Sequence, residues 1–252
     1  MHFAIISPTA ALRRYSILSS VHLVLPQMRD PEYWTFYKER REKGDLVILD
    51  NGAYENQNQS TIIERMMEIY RELNPQVLVL PDLLLKTAQE SLDCSGQAYR
   101  LIQHDLKPET QLMYVPQAPP DSWNEWWRGL YEWFHQPWSK RVSWIGLPRA
   151  LATHIRKDPL ARVLAARSLV GNRRIHALGM VKGDYHELPY LDHAGVYSID
   201  SSAPVWRGIL GLRLADTIGQ SFDIDFGEPA YIPFEVILEN LEVCGVRTKD
   251  RG

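Results

Sequence analysis

Short apolar runs that stop on an acid or a small polar turn recur along this chain at a nearly fixed pitch. Leu46 to Leu49 ends on Asp50-Asn51-Gly52, Val77 to Leu80 ends on Pro81-Asp82, and Val196 to Ile199 ends on Asp200. Between them, Leu112 to Val115 runs into Pro116-Gln117, Ser143 to Ile145 into Gly146, and Arg174 to Ala177 into Leu178-Gly179. The strand-end positions Asp50, Asp82, Gln117, Gly146, Leu178 and Asp200 lie between 22 and 35 residues apart. One strand–loop–helix–loop unit takes about 30 residues. Strands alternating with helices at that pitch imply a parallel sheet, and fully apolar strands imply one covered on both faces. The expected fold is a single-domain (βα)8 TIM barrel over residues 1–252.

Composition sets the outer bounds. The chain has 252 residues, 45% hydrophobic and 23% charged, which is enough for one full core. A formal net charge of -3 excludes a generic basic nucleic-acid coat, so any phosphate contact has to be a local patch. Cys94 and Cys244 stand apart from each other and from any histidine cluster, so no metal site is expected. The start Met1-His2-Phe3-Ala4-Ile5-Ile6-Ser7-Pro8 lacks the basic start and apolar core of a signal peptide, and no apolar run reaches membrane-spanning length. A cytoplasmic protein without a membrane partner is expected.

Two further strands are expected over Phe3 to Ser7 and Val21 to Leu25. Helices are expected over Pro31 to Lys43, Ser60 to Leu73, about Lys86 to His104, from Asp121-Ser122 onward, Pro159 to Leu169 and Phe234 to Val243. Trp123, Trp126, Trp127, Leu130, Trp133 and Phe134 recur at helical spacing, which favours a docking stripe over a base-stacking platform. Tyr185 to Leu191 reads as a short connection, and Gly208 to Tyr231 as a segment that can hold a distorted last strand.

The acids at the strand ends can each cap the following helix. Three of them in phase point instead to one carboxylate-lined mouth, because such barrels keep their chemistry at the C-terminal strand ends. The ordered set of strand ends resembles the tRNA-guanine transglycosylase superfamily, and within it the small DpdA-type DNA enzymes that lack the zinc-binding subdomain. The resemblance is carried by Asp50-Asn51-Gly52-Ala53-Tyr54, Asp82, Gln117-Ala118, Gly146-Leu147, Leu178-Gly179-Met180 and Asp200-Ser201-Ser202-Ala203-Pro204. It covers roughly residues 45–210.

The resemblance implies exchange of guanine in DNA for a 7-deazapurine such as preQ0, with no cofactor and no metal. Asp200 would be the nucleophile that forms a covalent sugar intermediate, and Asp50 the proton carrier. Asp82 would read the guanine N1–H and amine, with Gln117 and Gly146 on the O6 side. Leu178 and Gly179 would line the base pocket. Tyr54 and Met180 would sandwich the purine, or else pack in the core. Arg149, Lys182 and Arg207 lie just beyond strand ends and would bind DNA phosphates, or be solvated charges. His176 reads as a hydrogen-bonded core residue. A flipped or single-stranded base would be required, with accessory proteins as possible partners. Three alternatives stand beside this reading: tRNA as substrate, hydrolysis of N-ribosides or sugars, and a non-catalytic nucleic-acid binder.

Overall fold

A computed structural model describes the chain except for residues 29, 53–58, 152–157, 223–232 and 248–252. Eight strands follow one another: β1 (His2–Ile5), β2 (Val21–Val24), β3 (Leu46–Leu49), β4 (Val77–Val79), β5 (Gln111–Tyr114), β6 (Val142–Pro148), β7 (Arg174–Leu178) and β8 (Ser198–Ser201). All ladders are parallel, in the order β1-β8-β7-β6-β5-β4-β3-β2. β1 also packs beside β2, so the sheet curls into a nearly closed barrel. The helices between them are α1 (Thr9–Tyr15), α2 (Pro31–Glu42), α3 (Gln59–Leu73), α4 (Ala88–Ile102), α5 (Trp123–Phe134), α6 (Pro159–Val170), α7 (Glu187–His193), α8 (Ala203–Ile209) and α9 (Phe234–Val243). The architecture is the (βα)8 barrel expected from the pitch.

Alternate residues of each strand face inward. Ala4, Leu23, Ile48, Val79, Met113 and Trp144 belong to a compact apolar cluster that fills the barrel. Their neighbours, such as Val47, Leu78, Ile145 and Ile199, join the outer core beneath the helices. By the same alternation Asp50, Gln117, Gly146, Leu178 and Asp200 continue the inward rows of β3, β5, β6, β7 and β8.

Helix starts follow local chemistry. Asp30 caps α2 by accepting from the Glu32 N–H, with Pro31 in the first turn. Thr87 and Glu90 form a reciprocal capping box on α4. Asp158 accepts from Leu160 N–H at the start of α6. Ser122 precedes α5 but makes no side-chain cap; its hydroxyl turns back to the Pro120 carbonyl instead. Ser60 lies inside α3, one residue past the helix start.

Three expectations are corrected here. Thr9–Tyr15 is a helix where the sequence suggested none. Glu187–His193 is a helix and not a connection. Gly208 onward holds no strand among its described residues: α8 runs through Ile209, and β8 already completes the sheet.

α8 and α9 pack closely at Gly208. A Cβ there would lie 2.9 Å from Ile237 Cα and 3.0 Å from its nitrogen, so backbone and not only side chains would have to move. Gly208→Ala is therefore expected to cost about 1–3 kcal/mol, the usual range for overpacking. Urea unfolding of the variant checks this; an unchanged midpoint would mean that the two helices separate without cost.

Candidate active site

The C-terminal ends of the strands carry two polar centres on opposite walls. β4 and β8 are four places apart in the eight-strand order, so the centres at Asp82 and Asp200 lie on opposite sides of the barrel.

Asp82 sits just past β4 and is buried. Asn51, just past β3, donates from Nδ2 to Asp82 Oδ1 at 2.5 Å and to the Leu80 carbonyl at 2.8 Å. Gln117, beyond β5, donates from Nε2 to Asp82 Oδ2 at 2.5 Å. No cation pairs with Asp82 among the described residues, and burial pushes its carboxyl up to about 6 against the pull of the two amides. The turn beneath it is tied down: Ser95 Oγ donates to the Pro81 carbonyl and Leu83 N–H donates to Ser91 Oγ. Gly52 is required in the adjacent turn, with φ +69° and Pro26 Cγ 2.8 Å from where a Cβ would stand.

Asp200 lies within β8 at the opposite wall. Its Oδ1 accepts from Gly179 N–H at 3.1 Å and contacts His176 Nε2 at 3.0 Å. His176 Nδ1 meets Ser198 Oγ at 2.8 Å. The ring thus bridges the Ser198 hydroxyl on Nδ1 and the Asp200 carboxylate, which accepts from Nε2. His176 and Ser198 are partners across the β7–β8 ladder and both are fully buried. Ser198 is therefore a support for the ring and not an exposed nucleophile. Behind this wall Arg162 is fully buried, donates to the Leu147 carbonyl at 3.1 Å, and is pushed down to about 10 by burial, with Glu187 and Asp200 countering.

The other sequence-chosen residues fall in different places. Asp50 is half-buried at the mouth, and Gly52 N–H approaches its Oδ2 at 3.4 Å. Tyr54 lies outside the described residues. Leu178 and Gly179 stand at the mouth beside Asp200; Gly179 has φ +72°, which turns its N–H toward the carboxylate. Gly146 does not make room for a ligand: Val115, Met113 and Leu178 already occupy the space of its missing side chain, at 2.8, 3.1 and 3.2 Å. Met180 is buried in the outer core and takes the packing role. Arg207 is not at the surface. It is buried, donates to Thr217 Oγ1 and to the carbonyls of Lys182 and Gln220, and lies over the Phe222 ring. It holds the loop after β7, where Lys182 has φ 46° and an exposed side chain. Arg149 is exposed at the end of β6, with its backbone N–H on the Leu178 carbonyl.

Sequence reasoning missed Asn51, the Gly179 N–H and the connection of His176 to Asp200. The signal for Asn51 was present, an amide directly behind a strand-end acid. The Gly179 and His176 contacts depend on which strands are neighbours. Among the described residues no three His, Cys, Asp or Glu side chains converge as metal ligands, and no helix is long and apolar enough to cross a membrane.

No family model and no curated protein matches the chain. Solved structures do. An aldolase, QR15, superimposes with a TM-score of 0.54 at 15% identity over 80% of this chain and 89% of its own. CdNal from Clostridium difficile, solved in complex with mannosamine, gives 0.52 at 14% identity over 97% of this chain and 79% of its own. A putative dihydrodipicolinate synthetase from Pseudomonas aeruginosa gives 0.51 at 12% identity over 84% of this chain and 74% of its own. At these identities the likeness is one of fold.

These findings overturn the resemblance to tRNA-guanine transglycosylases. The matching barrels include an aldolase, a putative dihydrodipicolinate synthetase and the active domain of a chitinase, and these are not transglycosylases. The DpdA-type assignment, 7-deazaguanine exchange in DNA and its tRNA counterpart are set aside with it, and the sugar-hydrolase alternative gains no support beyond the shared fold of a chitinase domain. The site geometry agrees. Gln117 spends one of its two amide N–H groups on holding Asp82. Both Asp82 oxygens already accept hydrogen bonds, Gly146 is filled, and Arg207 is an internal strut.

Proposed function

We propose that this chain is an enzyme that transfers protons on a small carbonyl-containing substrate at the C-terminal mouth of its barrel, a lyase or aldol-type reaction. The observation that carries the reading is Asp82, a buried carboxyl raised to about 6 and oriented by two amide side chains. A group poised there both takes and gives a proton near neutral pH. Asp200 serves from the facing wall. Its Oδ1 is anchored by Gly179 and His176, which leaves Oδ2 for a substrate hydroxyl or a developing charge.

Elimination supports the same class. Burial raises both cysteine thiols to about 12, so neither is a ready thiolate. Ser198 is buried beneath His176. Among the described residues no strand carries a lysine, so an imine with a carbonyl substrate has no strand-borne amine there. Proton transfer is the chemistry that the described mouth residues supply. Barrels of like fold include an aldolase and a dihydrodipicolinate synthase, which agrees with the class and goes no further than fold.

The test is hydrogen exchange in deuterated water over a panel of 2-oxo acids and hydroxyketones, followed by proton NMR. The wild-type protein is expected to exchange or cleave at least one of them, with a pH midpoint near 6 set by Asp82. Asp82→Asn should slow the rate by about 10²–10⁴-fold, the usual worth of a general acid–base group. Full activity in that variant, or no exchange over the whole panel by the wild type, would sink the proposal.

A further inference from the structure

The end of the barrel opposite the carboxylates carries a cleft of 370 Å³. It is lined where β1, β7 and β8 begin, by His2, Arg174 and Tyr197, together with Arg167 and Arg173 at the end of α6 and the turn after it. Asp192, the acid in the lining, is paired with the Met1 amino group. None of the three arginines has a carboxylate partner among the described residues. Their positive charge therefore stands uncompensated.

The three guanidinium groups are held in two ways. Arg167 donates to the carbonyls of Gly171, Arg173 and Gly195. Arg173 donates to those of Val142, Val170 and Ser139. Carbonyls fix such a group in place and leave its net charge. Arg174 is exposed, and its side chain makes no hydrogen bond among the described residues. Its guanidinium lies over the rings of Tyr197 and Trp144, at 4.6 and 5.2 Å from their centroids. Ring faces steady a guanidinium and spare its N–H edge, the fork that meets phosphate bidentately. The field of the cleft is felt by His2, whose imidazole is lowered by burial and then by the neighbouring ammonium and Arg174.

We propose that this cleft binds a small phosphorylated molecule, with the phosphate on Arg174 and the organic part against Tyr197 and His2. The volume is at the low end of small-molecule sites, and a bare phosphate would leave most of it empty. The two rings, 4.9 Å apart and tilted by 39° to each other, give the organic part an aromatic wall. The N-terminal face of such barrels contributes stability more than chemistry, so binding here is read as stabilisation of the whole fold.

The experiment is thermal unfolding of the full chain with glucose 6-phosphate, inorganic phosphate or sulfate at matched ionic strength, with affinities by calorimetry. A sugar phosphate at ten times its Kd is expected to raise Tm by about 3–5 °C. Arg174→Gln should keep the ligand-free Tm within about 2 °C, as surface substitutions do, and lose the shift. Arg174→Lys keeps the charge without the fork and should bind about 10-fold more weakly. Asp82→Asn and Lys38→Gln should keep the full shift, which separates this cleft from the mouth and from charge in general. A shift that persists in Arg174→Gln, or one that sulfate reproduces, would overturn the site. Phosphate binding as tightly as the sugar phosphate would overturn the larger ligand.

Discussion

Asp82→Asn is expected to make the protein more stable at pH 8 while removing its proton-transfer activity. The carboxyl rises from 3.8 to about 6 in the folded chain, because burial penalises its charge and no cation compensates. A raised carboxyl favours folding where it is protonated. Its contribution is fully present below pH 3.8 and is lost as pH rises through about 6. Between those values the folded state binds more protons than the unfolded one, so stability falls with rising pH. Two units correspond to about 3 kcal/mol, an order of magnitude for a fully buried group. Asparagine removes the buried charge and keeps the shape. Its oxygen can accept from Asn51, and Gln117 can turn its amide to accept from the new N–H2. The gain at pH 8 should be about 1–3 kcal/mol, with little gain at pH 4. Urea titrations at the two pH values read this directly. An equal change at both would show that Asp82 is not the group that titrates.

Trp126→Ala should cost about 3–5 kcal/mol, the range for removing a fully buried large aromatic. Trp126 is completely buried on α5, and its indole N–H donates to the Pro116 carbonyl at 3.1 Å. Pro116 directly precedes Gln117, so the helix stripe also steadies the amide that holds Asp82. Trp126→Phe keeps most of the apolar burial and loses the N–H. It should cost about 1–3 kcal/mol, mainly from the unpaired carbonyl. As Gln117 loosens, the pull that lowers Asp82 weakens, so the pH midpoint of activity should move up in that variant. Denaturation curves and the pH–rate profile together test the link. A destabilised Trp126→Phe with an unmoved midpoint would confine Trp126 to packing.

Both predictions start from features that were legible at very different depths. The aromatic stripe was visible as periodicity, and Trp126, Leu130 and Trp133 are the residues it buries. The partner of its N–H was not visible, because Pro116 lies ten residues back on another element. The inward row of Asp50, Gln117, Gly146, Leu178 and Asp200 follows from strand alternation and could be drawn without coordinates. The role of each could not. Gly146 sits in that row because Val115, Met113 and Leu178 crowd it from neighbouring strands. Arg207 looked like a rim cation and is an internal strut, because α8 turns it under the loop after β7.

The amino-acid sequence by itself determined the barrel: eight short, mostly apolar strands at a pitch of one strand–helix unit admit few other parallel arrangements. It also placed Asp50 and Asp82 just past their strands, since that depends on where each apolar run stops, whereas Asp200 lies inside β8, which runs on to Ser201. Tertiary structure alone decided which of those acids is buried, which is hydrogen-bonded and by what. Asn51, Asp82 and Gln117 meet from three successive strands, and His176 reaches Asp200 across a ladder, so their protonation and chemistry arise from register and burial, which no local pattern encodes.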